Sequence, residues 1–339
     1  MCNWKKKALV LALAGLALFS AAGCGGSADK KGAGKGGEIV LYTSQPEADA
    51  QKLIAAFNQD HPDIKVKVFR SGTEEVVSKV LAEQTAGTVQ ADVLLVADNV
   101  TFEQLKQKDM LEKYASPELK GIPEAYVDKD HTYTGTKVIT TGIIVNTSKA
   151  KGDPKAFADL AKPEFAANAI MPSPLYSGAA AYNLGVITRT QGMGWPYYEA
   201  LKKNGMTVTK GNGAVQKAVV AGEKAYGLIA DYMANNSRKK GAPVKFIYPA
   251  EGSPAVTEPI GLLKTSKNKE AAKAFIDFVL SKQGQETAAK MGYTPVKEGV
   301  QPPEGLKAIT DFKALTVSIA DLFQNRSADK ERFTTLFQK

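Results

Sequence analysis

Four short polar segments lie where strand-like runs give way to helix-like ones, and their residue types suit ligand chemistry. They are Thr43-Ser44-Gln45-Pro46-Glu47, Ser71-Gly72-Thr73-Glu74, Ser173-Pro174-Leu175-Tyr176-Ser177-Gly178-Ala179 and Gly211-Asn212-Gly213-Ala214. A helix start offers unpaired N–H groups and partial positive charge, which suits an anion. Gly72, Gly178 and Gly213 remove side-chain bulk where a ligand could approach the backbone. Ser44…Glu47 and Ser71…Glu74 also match the Ser-x-x-Glu capping box, which serves helix stability without any ligand. A first-turn Glu pointing inward would oppose an anion, so both readings stand at those two junctions. The other two junctions carry no such Glu. Ser177, Gly178, Ala179 and Asn212 are therefore read as ligand contacts.

Asp231-Tyr232 follows the apolar run Tyr226-Gly227-Leu228-Ile229-Ala230, at the carboxyl end of an expected strand. In open α/β sheets that end faces the ligand crevice. Asp231 would accept from a ligand ammonium or hydroxyl, and Tyr232 would donate to a ligand oxygen. The competing reading has Asp231 cap the next helix. Other catalytic signatures are missing: there is no Gly-x-x-x-x-Gly-Lys-Ser/Thr, Gly-x-Ser-x-Gly or His-Glu-x-x-His. The two histidines, His61 and His131, lie in polar turns with no second histidine at ligand spacing. Tyr197-Tyr198 reads as helix packing rather than a site.

The elements that would position these residues alternate between strand and helix. Glu38–Tyr42, Ile64–Phe69 and Ala91–Val96 read as strands, with helices over Ala48–Asn58 and Glu74–Gln84. Val138–Asn146 and Val256–Leu263 read as crossings that bracket a second βα block. That block has strands at Ile170-Met171 and Tyr226–Ala230, and helices at Ala179–Thr190 and Val215–Ala221. Lys269–Leu280 and Thr316–Phe323 are amphipathic helices expected to return to the first block. A block built from both ends of the chain with another inserted implies two connections, a cleft and a hinge. The expected division is residues 38–141 plus 262–339 for one lobe and 142–261 for the other.

The amino terminus suggests an address. Lys5-Lys6-Lys7 precede a 15-residue apolar run, Ala8–Ala22, too short to span a bilayer as a helix. Ser20-Ala21-Ala22-Gly23-Cys24 resembles a bacterial lipobox, with Ala21 where leucine is most common. Residues 1–23 are then a signal peptide, Cys24 carries lipid, and residues 24–37, with six glycines after Cys24, form a flexible tether. The formal charge of +9 shrinks once this region is set aside. The signal carries +3 and the tether +2, leaving +4 on the remainder, too mild for a nucleic-acid partner. Cys2 and Cys24 are the only cysteines, so thiol chemistry is excluded beyond the tether.

Taken together, LYTSQPEADAQKLIAAFNQDHPDIKV (Leu41–Val66), ADVLLVADN (Ala91–Asn99), TGIIVNTSK (Thr141–Lys149), GAVQKAVVAGEKAYGLIADY (Gly213–Tyr232) and EAAKAFIDFVLSKQGQE (Glu270–Glu286) carry a resemblance. The chain is similar to the family-1 solute-binding proteins of ATP-driven importers, in the branch with ferric-iron, phosphonate, sugar-phosphate and thiamine binders. The resemblance implies an α/β, two-lobed periplasmic-binding-protein-like (type II) fold with open mixed sheets and a hinge. It implies a monomeric, non-catalytic protein without a cofactor, held outside the cytoplasmic membrane by its lipid. Its partners would be a permease, its ATPase and one small solute. Ligand contacts would come from Ser44, Ser71, Gly72, Thr73, Thr141, Ser177, Gly178, Ala179, Asn212, Asp231 and Tyr232. Hydroxyls and helix starts favour an organic phosphate or phosphonate. The alternative cargo is ferric iron, with Tyr232 and Asp231 as metal ligands. Ferric binders of the branch place two adjacent tyrosines where this chain has Asp231-Tyr232-Met233, so the pair is incomplete. An exported enzyme on the same fold is the remaining alternative.

Overall fold

The computed structural model describes residues 36–338; the expected signal, Cys24 and most of the tether lie outside them. The first strands are β1 (Gly37–Thr43), β2 (Ile64–Arg70) and β3 (Val93–Leu95), parallel in the order β2-β1-β3. Between them run α1 (Glu47–Asp60) and α2 (Thr73–Thr85), with α3 (Asn99–Gln107) after β3. β2 is the edge. Ile64 is buried there while Lys65 and Lys67 are exposed, the alternation of a half-covered strand.

β4 (Thr134–Asn146) is buried along its full length. The second block then contains the short helices α4 (Phe157–Leu160) and α5 (Pro163–Ala166), followed by β5 (Ala169–Pro172), α6 (Gly178–Arg189) and α7 (Gly194–Lys203). It continues with β6 (Thr207–Thr209), α8 (Asn212–Val220), β7 (Tyr226–Ala230), α9 (Asp231–Lys239) and β8 (Val244–Ile247). β9 (Ser253–Leu262) leads back to α10 (Lys269–Leu280), α11 (Lys282–Met291) and α12 (Ile319–Gln338).

The main path of the sheet is β2-β1-β3-β9-β4-β7-β5-β6. β4 changes partners midway: residues 134–140 pair antiparallel with β9, and residues 141–145 with β7. β9 pairs in turn with β3. Two α/β lobes therefore share one open, curled mixed sheet, and β4 and β9 are the strands that join them. No helix among the described residues is long and apolar enough to cross a membrane.

Two elements depart from expectation. Only Val93–Leu95 of the apolar run at 91–96 joins the ladder, because Asp92 turns its carboxylate to the Val40 N–H (2.8 Å) and the Ser266 hydroxyl (2.7 Å). The last helix runs to Gln338, far beyond Phe323, and packs on α3, α6 and α7. Its inward face buries Leu322 and Phe333 but also Asp329, so charge interrupts its apolar stripe.

Candidate functional site

A cavity of about 400 Å³ lies between the lobes, walled by strand ends and helix starts. Ser44, Gln45, Arg70, Gly72 and Thr73 line it from the first lobe. Tyr176, Ser177, Lys210, Gly211, Asn212 and Tyr232 line it from the second. Ile139 on β4 and Glu258 on β9 contribute from the joining strands.

Neither expected capping box forms. α1 begins at Glu47 behind Pro46, which supplies no side-chain cap, and Ser44 Oγ accepts instead from the Ala97 N–H at 3.0 Å. Gly72 precedes α2 without a cap, and the Ser71 hydroxyl donates to Glu75. α8 likewise starts behind an extended Gly211 with no side-chain cap. Three helix starts without side-chain caps thus face the cavity wall, where partial positive charge collects, with the Glu74 N–H of α2 taken by the Tyr176 carbonyl. At α6, Ser177 Oγ accepts from the Ala180 N–H (3.3 Å) and from Asn212 Nδ2 (3.4 Å).

The acids that would oppose an anion are turned aside. Glu74 pairs with Arg326 and Lys330, both at 2.6 Å. Burial works against its charge, but those two cations more than offset it and hold its carboxyl below the usual range. Glu75 meets Ser71 and Lys210, which keep it low as well. Arg70, Lys210 and Lys217 remain on the cavity wall. Arg70 Nε donates to the Gln45 carbonyl at 2.8 Å, and Lys210 Nζ sits 4.4 Å from the Tyr176 ring centre.

The lobes touch at two glycines. A Cβ on Gly72 would come within 2.5 Å of the Tyr176 carbonyl, and one on Gly178 within 2.5 Å of the Ala97 carbonyl. Glu74 N–H donates across the same seam to the Tyr176 carbonyl at 3.3 Å. Only glycine permits that approach.

Of the residues expected to contact ligand, Ser44, Gly72, Thr73, Ser177, Ala179, Asn212 and Tyr232 line the cavity. Ser71, Thr141, Gly178 and Asp231 lie off its lining. Thr141 is buried against α6, accepting from Asn183 Nδ2 at 2.9 Å. Gly178 belongs to the seam. Asp231 is a correction: at 1% exposure it accepts from the Tyr232 N–H (2.8 Å) and the Thr140 N–H (3.2 Å), as a buried structural carboxylate. Burial pushes its pKa up to about 7, and those N–H groups oppose the shift. The Tyr232 ring packs 4.2 Å from that of Tyr293, and burial raises its phenol pKa. No cluster of three or more His, Cys, Asp or Glu side chains placed to hold a metal exists among the described residues.

Sequence reasoning missed the cavity cations Arg70, Lys210 and Lys217, and it also missed Glu258. The glutamate lies in a strand read only as a crossing, yet it lines the cavity at 3% exposure. Its carboxylate pairs with Lys137 of β4, itself 2% exposed. The available signal was a single charged residue in each of two otherwise uncharged joining strands.

With this geometry in place, the comparisons with known proteins become informative. The profile described as bacterial extracellular solute-binding protein matches residues 90–324. The chain belongs to that family. Its members are non-catalytic binding proteins, so a small solute held in the interlobe cleft is the activity, and a membrane permease with its ATPase is the implied partner. The Fe(3+)-binding periplasmic protein of Serratia marcescens is 27% identical over 73% of this chain and 75% of that protein. The solved periplasmic binding protein AfuA of Actinobacillus pleuropneumoniae, described with exogenous fructose-6-phosphate bound, superposes with a TM-score of 0.83. It is 23% identical over 90% of this chain and 99% of that one. Iron-bound HitA of Pseudomonas aeruginosa gives 0.76 at 22% identity, covering 87% of this chain and 99% of that one. At such identities the solved structures speak for the fold.

Proposed function

We propose that this solute-binding protein captures a small organic phosphate or phosphonate for an importer, outside the cytoplasmic membrane. One observation carries the reading: three cations and three helix starts without side-chain caps line one interlobe cavity. Glu74 is neutralised by Arg326 and Lys330, Glu75 meets Lys210, and Glu258 is balanced by Lys137. A bare trivalent cation would meet Arg70, Lys210 and Lys217 with few anionic oxygens to receive it. AfuA, with its phosphorylated sugar, supports the same reading.

Ferric iron is the second reading, and the names of the relatives favour it over organic phosphate. Ferric-binding and iron-uptake proteins predominate among them. Tyr232 and Glu258 are the cavity oxygens it would use. A melting series with phosphate esters and with ferric citrate separates the two. The phosphate reading expects stabilisation by at least one ester, lost in Arg70→Gln, and none by iron. Stabilisation by iron, with a visible phenolate band that Tyr232→Phe abolishes, would overturn it.

A further inference from the structure

Glu258 has an oxygen to spare. Its Oε2 takes both the Lys137 ammonium and the Gln45 side-chain amide, the latter at 2.8 Å. Among the described residues no hydrogen bond reaches its Oε1, and the residue, 3% exposed, lines the cavity. The nearby Gln45 amide oxygen is buried without a partner. Lys137 neutralises the carboxylate from behind, engaged with Thr136 Oγ1 at 3.3 Å and the Tyr293 ring at 4.9 Å, and does not itself line the cavity. The floor therefore presents carboxylate and amide acceptors, while Arg70, Lys210 and Lys217 bring positive charge to the wall.

Gln45 links these two regions. Its backbone carbonyl accepts from Arg70 Nε at 2.8 Å, and its side-chain amide donates to Glu258 at 2.8 Å. The cationic and acidic features are thus spaced by about one glutamine side chain. Resting on the phosphate reading above, we infer that Glu258 is a specificity residue. It recognises a hydroxyl or ammonium donor carried a few bonds from the phosphate on the same molecule. Inorganic phosphate or a plain alkyl phosphonate would close the lobes over a carboxylate oxygen stripped of water and left unpaired. Sites built to hydrogen-bond a donor reject analogues that lack it far more strongly than apolar pockets reject a missing methylene.

Calorimetric titration of the full chain with matched probes tests this: 2-aminoethylphosphonate against ethylphosphonate, and glycerol 3-phosphate against propyl phosphate. In at least one pair the donor-bearing member binds about tenfold tighter or more, and that pair identifies the donor as ammonium or hydroxyl. In Glu258→Gln the advantage shrinks. Should that single change unfold the protein by stranding Lys137, Lys137→Met with Glu258→Gln removes the buried pair together and serves instead. Equal binding within both pairs, or an advantage that survives loss of the carboxylate, overturns the inference and leaves the phosphate reading intact. Binding of none of the four overturns the phosphate reading, and the inference with it.

Discussion

At the scale of single residues, carboxylates divide into those that face ligand and those that hold the scaffold. Asp231 and Glu258 exchange the roles that sequence suggests. Asp231 stands at the end of β7, where a ligand group is expected, but it is buried with its Oδ1 accepting from two backbone N–H groups. Because burial raises its pKa to about 7, the folded chain keeps a proton there that the unfolded chain loses near the ordinary carboxylate value. This contribution to stability is complete at acidic pH and declines as pH rises toward and through about 7. Asp231→Asn should flatten that decline, by an amount on the order of a few kcal/mol across the window. Melting temperatures of both proteins from pH 4 to pH 8 check it, and parallel curves would contradict it. Glu258 was illegible in the sequence because a strand's register, not its composition, decides which residue meets a cavity.

At the scale of elements, α12 ties together parts of the chain that the sheet leaves separate. Arg326 reaches Glu74 of α2 at 2.6 Å and Asp98 ahead of α3 at 2.9 Å. One turn on, Asp329 takes Arg189 of α6 at 2.7 Å, and Arg332 meets Glu199 of α7 at 3.2 Å. Asp98 is fully buried, caps α3 through the Thr101 N–H, and has a left-handed backbone (φ 81°). Arg326→Ala would strand the buried Asp98, leave Glu74 to Lys330 alone, and should cost about 3 kcal/mol, read as a lower urea midpoint. The more exposed Lys330→Ala should cost less than about 1 kcal/mol. Equal effects would mean that the strap is held by surface pairing alone. Hydrophobic periodicity found β7 at its observed ends, since Tyr226–Ala230 is a continuous buried run. It stopped α12 short because Arg326 and Asp329 occupy inward positions that an apolar pattern would fill. The capping boxes misled for a related reason. Ser44 and Ser71 have the right spacing, but a tertiary partner, the Ala97 N–H, claims the first hydroxyl and Glu75, one turn on, claims the second.

At the scale of the molecule, the interrupted βα pattern was enough to announce two lobes. Its two apolar crossings became β4 and β9, paired across the joint. The seam was harder to foresee. Gly72 and Gly178 matter less for ligand access than for letting the lobes meet at the Tyr176 and Ala97 carbonyls. The result is an interlobe cavity with a cationic wall and an acceptor floor, with one face of each lobe committed to contact. Its occupant is the central question. Native mass spectrometry of the freshly purified protein addresses it directly, by weighing whatever leaves the cavity on denaturation. The phosphate reading expects a released small organic molecule containing phosphorus and no metal. One iron per chain, retained through purification and removed by a chelator, would contradict it.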